Sequence, residues 1–463
     1  MVGGEPARLI FRKIFNAMKN NPKTESIAVI GMGYVGCPLA AVMASRGWRV
    51  VGIDANRALI DTLRSGRPAI EEPGLTELVR EVSGSGALTF SNDLSGISDC
   101  DVIVVTVGTP IDEAGHADLG AIKKVCAEMA PLVRDEQLVI LKSTVPPGTT
   151  QELVAPVLGG RAALDIAFCP ERLAEGEALR DIRTLPVVIG GITPQATERA
   201  AEFIESALGV ETVRVSNPAA AELTKLADNL WIDLNIALGN ELAKVADTLS
   251  LDVLEIVAAA NSLKKGQHHV NILTPSLGVG GSCLTKDPWF LHQVARDQGV
   301  EIMLPAASRT INDNMPAYSV RRIAEALDAS RPGIPRERCK IAVLGIAFKN
   351  NTSDCRNSPT KPAIAALIEE GFNVVIHDPL VADEDARMVT GLPLELNREK
   401  ALADADCVAF FAGHDAFCDI SPEYLAGLLT PGSVVFDGRI FFDRTFIDGL
   451  TGRGLIYVGV GRN

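Results

Sequence analysis

The 463-residue sequence predicts an α/β fold, with two doubly wound parallel-sheet domains joined by a helical domain that has a long central helix. Three observations predict it. Short apolar runs alternate with helical patterns between Ser26 and Ile189. A stretch from Asn217 to Ala260 repeats apolar residues at helical spacing. The strand pattern then returns between Lys340 and Gly459. Strands that are apolar throughout belong to sheets covered on both faces, with helices as crossovers.

In chain order, Ser26–Gly31 is the first strand. Strands follow at Val50–Asp54, Val102–Val107, Leu138–Leu141, Ile166–Phe168 and Val187–Ile189, with helices between them at Pro38–Arg46 and Leu119–Leu132. Pro218 suits the first turn of the long helix, which is expected to continue to Ala260 and to offer a dimer face. A second helical block covers Pro316–Leu327, and Arg331-Pro-Gly-Ile-Pro335 marks a boundary. Strands resume at Lys340–Gly345, Asn373–Asp378, Cys407–Phe411, Val434–Asp437 and Ile456–Gly459. The expected domains are 25–215, 216–333 and 334–463, preceded by a leader at 1–24.

Composition narrows the function. There are 44 Lys and Arg against 58 Asp and Glu, a net charge of −14, which disfavours a general nucleic-acid binder. No apolar run reaches the roughly 18 residues of a membrane span, so no integral membrane segment is expected. In the leader, Arg8, Arg12, Lys13, Lys19 and Lys23 alternate with Leu9, Ile10, Phe11, Ile14 and Phe15; this is expected to be a surface helix or frayed segment, with membrane contact or targeting as the alternative. Nine scattered cysteines without a C-x-x-C pair fit neither a disulfide framework nor a zinc site, and point to the reducing cytoplasm. His268-His269 has no third ligand nearby and is expected to be a loop pair, so no metal is expected.

Gly31-Met-Gly33-Tyr34-Val35-Gly36 follows a strand and opens a helix. Two glycines let the backbone approach a pyrophosphate, and the third lets helix and strand pack closely. Asp54 ends the next strand, where a carboxylate accepts from the adenosine ribose and repels a 2′-phosphate; this favours NAD. Gly278-Val-Gly280-Gly281-Ser-Cys283-Leu-Thr-Lys286-Asp287 places a cysteine after a turn with few side chains to cover it. A helix starting near Leu284, and Lys286, would make the thiol more acidic, and Asp287 one turn on would orient a group near sulfur; the alternative is a buried structural cysteine.

Lys225 and Asn229 share a helix face, an ammonium beside an amide suited to a developing alkoxide, unless they belong to a solvated stripe. Glu171 and Glu175 lie four apart after a strand, as a base and a polar anchor or as a helix-start pair. Thr144, after the 138–141 strand, would hold a water or the nicotinamide edge, or belong to a plain turn. Lys349, Arg356 and Arg439 follow strands of the last unit, where cations suit a nucleotide diphosphate.

With these residues in place, the chain resembles the UDP-glucose/GDP-mannose dehydrogenase family from about 25 to 463, through Gly31–Gly36, Asp54, Lys142–Gly148, Pro170–Gly176, Glu222–Asn229, Gly278–Pro288, Ala347–Pro359 and Phe436–Arg439. The resemblance implies two Rossmann-like domains and a four-electron oxidation of a sugar CH2OH to a carboxylate with two NAD. Cys283 would be the nucleophile, Lys225 and Asn229 the oxyanion donors, Asp287 and Thr144 the water-positioning groups, and Glu171 an aid to acyl transfer. Tyr34, Val35, Thr109, Thr144, Glu175 and Arg356 would face the cofactor. Glu171, Arg172, Lys225, Asn229, Asn271, Gly280, Lys349 and Arg439 would face the UDP-sugar. Val270-Asn271-Ile, Gly278-Val-Gly280-Gly281 and Pro170-Glu-Arg172 are similar to the branch acting on UDP-N-acetylmannosamine. That branch usually has an arginine near 268–269, often reaching a neighbouring subunit, where this chain has two histidines. The alternatives are a UDP-glucose or UDP-N-acetylglucosamine 6-dehydrogenase, a two-electron NAD alcohol dehydrogenase of the hydroxyacid type, or a non-enzymatic nucleotide-sugar sensor. A homodimer or higher homo-oligomer through the central helix is implied.

Overall fold

The computed structural model describes residues 25–112, 116–160, 162–266 and 268–462, so the leader expected at 1–24 lies outside the described residues. In the first unit, which ends at Ala227, eight strands form one sheet. They are β1 (Ser26–Ile30), β2 (Arg49–Ile53), β3 (Leu88–Ser91), β4 (Val102–Val105), β5 (Leu138–Leu141), β6 (Asp165–Phe168), β7 (Val187–Gly191) and β8 (Thr212–Arg214). Their order is β3-β2-β1-β4-β5-β6-β7-β8. All neighbours are parallel except β6 and β7, which pair antiparallel through Ala167–Gly191 and Phe168–Gly190, a departure from the all-parallel expectation. Two buried apolar clusters cover the two faces, one with Val29, Val104 and Ile140, the other with Ala28, Ile103 and Val139. Alternation along each strand sends successive side chains to opposite layers, so an apolar strand serves both.

The second unit starts at Asp228. A two-residue ribbon pairs β9 (Lys264–Lys265) with β10 (His268–His269), so the histidine pair sits on a short strand and not in a loop. A five-stranded sheet follows: β11 (Lys340–Leu344), β12 (Asn373–His377), β13 (Cys407–Phe410), β14 (Val434–Asp437) and β15 (Ile456–Gly459), ordered β12-β11-β13-β14-β15 and parallel throughout. Arg331 ties the preceding helix, Met315–Ser330, to this sheet by bonds to Asp406 (3.1 Å) and to the hydroxyls of Thr430 (2.7 Å) and Ser433 (3.0 Å).

The long helix runs from Pro218 to Leu249, not to Ala260. Ser250 takes a left-handed φ of 54°, and Asp252 then caps a separate helix, Val253–Asn261, by accepting from the Leu254 amide at 2.9 Å. Among the described residues, no helix is long and apolar enough to cross a membrane.

Candidate active site

Strand order reverses beside β1 in the first sheet and beside β11 in the second, and ligands of open α/β sheets bind at such switch points. Each switch point carries one of the predicted constellations.

After β1, Gly31 turns with φ 97°, and its amide donates to the Ile53 carbonyl at 2.7 Å. The helix Gly36–Ser45 then starts immediately. A Cβ on Gly36 would stand 1.8 Å from the Gly31 carbonyl oxygen, whereas a Cβ on Gly33 would meet nothing within 4 Å. So Gly36 serves close packing, and Gly33 leaves open space where a pyrophosphate can approach a helix N-terminus. Asp54, at the end of β2, accepts from the Met32 amide and the Asn56 amide, both at 2.8 Å. It thereby fixes the glycine loop it was expected to serve through the ribose. These residues fit a dinucleotide, with Tyr34 and Val35 in the loop between the glycines.

Further along the same sheet edge, the Thr109 hydroxyl donates to the Thr144 carbonyl at 2.6 Å and so joins two predicted cofactor residues. Lys142 is buried after β5; its ammonium donates to the Pro170 carbonyl (3.2 Å) and lies 3.7 Å from the Glu171 carboxylate. Glu171 Oε1 accepts from the Leu173 amide at 2.5 Å. Arg172 donates to the Pro186 carbonyl at 3.3 Å, a contact made inside the first unit. Two buried carboxylates to which motif reading gave no role shape this edge. Glu72 accepts from the amides of Gly176 (2.9 Å) and Ala178 (2.6 Å), pinning the loop of Glu171 and Glu175. Glu222, fully buried, accepts from the Gly148 amide (2.6 Å), the Thr150 amide (2.9 Å) and the Thr150 hydroxyl (2.6 Å), fixing the turn after Thr144. Burial pushes the Glu222 carboxyl above its ordinary value.

In the second unit, Cys283 is exposed; of the other eight cysteines only Cys418 is, and none of the nine is in a disulfide. Gly281 holds φ 87°, and a Cβ there would meet the Phe348 ring at 2.8 Å, so the turn lies flat on the loop after β11. The next helix begins at Asp287, three residues later than expected; Cys283 precedes it by one turn, and its carbonyl accepts from the Lys286 (3.1 Å) and Asp287 (2.9 Å) amides. Residues 284 to 286 form turns because the cysteine carbonyl must first close that ring. Asp287 is fully buried, between the Asn229 amide nitrogen (2.5 Å) and the Lys286 ammonium (2.6 Å). Lys225 and Asn229 are 7% and 5% exposed, which removes the solvated-stripe alternative.

Gly280 packs beneath Asn357, Phe348 and Pro359, and Asn271 is exposed beside Ile272, whose amide and carbonyl are held by Asn261. Arg439, after β14, donates to the carbonyls of Phe411 (2.8 Å) and Phe348 (3.0 Å). Only half-buried by surface exposure, its guanidinium is nevertheless closely ringed by protein, and that desolvation lowers its pKa to about 10. Asp437 frames this loop by accepting from the amides of Arg439 (3.2 Å) and Phe441 (2.9 Å). Lys349 is half-buried after β11. Arg356 instead stands exposed, forked onto its neighbour Asp354 at 2.9 and 2.5 Å.

Three family descriptions match the chain. The NAD binding domain of the UDP-glucose/GDP-mannose dehydrogenase family matches residues 25–207, its central domain 219–314 and its UDP binding domain 342–444. A UDP-N-acetyl-D-mannosamine dehydrogenase of Methanococcus maripaludis is 32% identical over 425 residues, covering 90% of this chain and 93% of that protein. The structure of a UDP-D-ManNAc dehydrogenase from Pyrococcus horikoshii aligns with a TM-score of 0.84 at 30% identity, covering 94% of this chain and 99% of that one. A UDP-glucose dehydrogenase from Pyrobaculum islandicum aligns with a TM-score of 0.81 at 32% identity, covering 96% and 99%.

Proposed function

Since the chain belongs to the UDP-glucose/GDP-mannose dehydrogenase family and is an NAD-dependent nucleotide-sugar dehydrogenase, we propose that it oxidises the C6 hydroxymethyl of UDP-N-acetylmannosamine to the uronic acid through a thioester on Cys283. The observation that carries this reading is Cys283 itself: an exposed thiol on a glycine turn, one helical turn before the buried Asp287–Asn229 pair. Gly31–Gly36 and Asp54 would hold NAD, which would accept hydride, two equivalents per sugar.

The protein's part is binding, charge and proton placement. Lys349 and Arg439 hold the UDP moiety. After the alcohol becomes an aldehyde, the Cys283 sulfur bonds to C6, and the thiol proton ends on the former carbonyl oxygen. Lys225 and Asn229 stabilise the charge that develops on that oxygen. Loss of a hydride and a proton converts the thiohemiacetal to a thioester. Water, positioned by Asp287 and Thr144 with help from Glu171, then cleaves the C–S bond and restores the thiol. The covalent bond to Cys283 retains the sugar between the two oxidations. Thr109 and Glu175 line the cofactor side. Arg172, Asn271 and Gly280 are assigned to the sugar, and Arg356 to the diphosphate of the cofactor once its fork with Asp354 opens.

The substrate is preferred on the Asn271 and Gly278–Gly281 patterns and on the names of the similar proteins; UDP-glucose is the second reading, favoured by the likeness to the Pyrobaculum islandicum enzyme. A panel of UDP-N-acetylmannosamine, UDP-N-acetylglucosamine and UDP-glucose with NAD tests it. The first should give the highest kcat/KM, and Cys283→Ser should abolish sustained turnover. Full activity in that variant would end the assignment.

We further propose a homodimer through the long helix. Trp231, Leu238 and Val245 recur every seven residues and are 47%, 45% and 55% exposed, with Leu249 at 61%. Such a stripe is a helix-pairing seam. A cytoplasmic location is proposed because the chemistry needs Cys283 reduced.

A further inference from the structure

Asp233, Asn240, Arg309 and Asn312 form a polar network in which no residue is more than 1% exposed. The Arg309 guanidinium donates to Asp233 Oδ1 at 2.7 Å. Asn312 Nδ2 donates to the same oxygen at 2.8 Å and to the Asp233 carbonyl at 2.9 Å. Asn240 Nδ2 donates to Asn312 Oδ1 at 2.9 Å. Burying a charged pair and two amides is unfavourable without close partners, and apolar packing would serve a core better. Besides the pairing of Arg309 with Asp313 on its own helix, the network has two outward bonds that suggest what it is for. Asn240 Oδ1 accepts from the Ser276 amide at 2.8 Å, and Arg309 Nη1 donates to the Leu284 carbonyl at 3.4 Å. Ser276 and Leu284 are the two ends of the turn that carries Cys283. Between them, Gly278, Gly280 and Gly281 have no side chains to bond the turn; Gly280 and Gly281 pack on Phe348, the Leu277 amide donates to the Gly438 carbonyl at 2.7 Å, and the network adds a polar anchor at each end. Asn229, one helical turn before Asp233, holds Asp287 just beyond the same turn.

We propose that Arg309 and Asn240 are positioning residues for Cys283, holding both ends of its turn so that sulfur captures the C6 aldehyde before it leaves. The proposal rests on the thioester reading above. Its test compares wild type with Arg309→Lys and Asn240→Ala, using the best sugar of the panel. The readouts are NADH formed per sugar consumed, aldehyde trapped by a hydroxylamine, kcat, the KM for NAD, and the melting temperature.

Wild type should give two NADH per sugar. Both variants should stay folded and keep a KM for NAD close to the wild-type value. Their ratio should fall towards one, trapped aldehyde should appear, and kcat for full conversion should drop by up to about 100-fold, the loss a 1 Å misplacement can cause. A wild-type ratio of one would overturn the thioester reading and this proposal with it. A ratio of two with near-wild-type kcat in both variants would overturn the proposal alone. Failure of both variants to fold would also overturn it, assigning the network to stability only.

Discussion

Adding one methyl group at each of two glycines of the nucleotide loop should give opposite structural but similar functional results. In Gly36→Ala the new Cβ lies 1.8 Å from the Gly31 carbonyl oxygen and 2.6 Å from the Thr106 hydroxyl, whereas ordinary contact begins at 3.4 Å. The loop or the helix must therefore retreat by about 1.6 Å, from 1.8 to 3.4 Å. Overpacking of this kind costs about 1–3 kcal/mol. The unliganded protein can relieve part of it by shifting the loop, but bound NAD needs the original loop. The strain then appears in binding as a loss of roughly 5- to 150-fold in NAD affinity. In Gly33→Ala the Cβ meets nothing within 4 Å, so stability should not change. It fills the space proposed for the pyrophosphate, and NAD affinity should fall by a comparable factor. Isothermal titration with NAD and thermal melts of both variants check this. NAD affinity within twofold of wild type in Gly33→Ala would refute the placement of the dinucleotide on this loop.

Glu222→Gln should place an amide NH2 against donors from Gly148 or Thr150 and destabilise the protein by about 1–3 kcal/mol in urea titrations; it should also slow turnover, because that turn directly follows Thr144. The buried Asp378 is pushed up by burial, but its bonds with His414 and with the amides of Ile346 and Leu380 outweigh this and leave its pKa below the ordinary carboxylate value. That lowered value contributes stability above the unfolded-state pKa of about 3.9, which is lost as pH falls through the folded-state value. Asp378→Asn should accordingly be less stable than wild type at pH 7, with the gap closing well below pH 4 in urea melts at each pH. Leu238→Lys with Val245→Lys should shift light scattering from dimer to monomer if the exposed stripe of the long helix pairs two copies, and an unchanged mass would exclude that seam.

The strands of both sheets were legible because their residues are buried on both faces and hence uniformly apolar. The edges of the first sheet were not. Leu88-Thr-Phe-Ser91 and Thr212-Val-Arg214 are short and partly polar, and they become strands only because a neighbour offers a parallel ladder. The break after Leu249 was invisible because Ser250-Leu251-Asp252 contains neither Gly nor Pro, and the apolar spacing continues through it. Only Ser250's left-handed backbone and the Asp252 cap reveal the stop. Within the candidate site, the tight glycine turn of Gly31–Gly36 and the exposure of Cys283 were legible because short-range glycine spacing alone sets both. Glu72, Glu222 and the Arg309 network were not. Their partners lie about 70 to 100 residues away, and no local pattern links Asp233 to Arg309.

The most direct test of the account is acid quenching during steady turnover with NAD and UDP-N-acetylmannosamine, followed by peptide mass analysis. The account predicts a UDP-aminosugar acyl adduct on the peptide containing Cys283, which disappears once substrate is exhausted. An unmodified Cys283 peptide at every quench time, with the sugar fully oxidised, would contradict it.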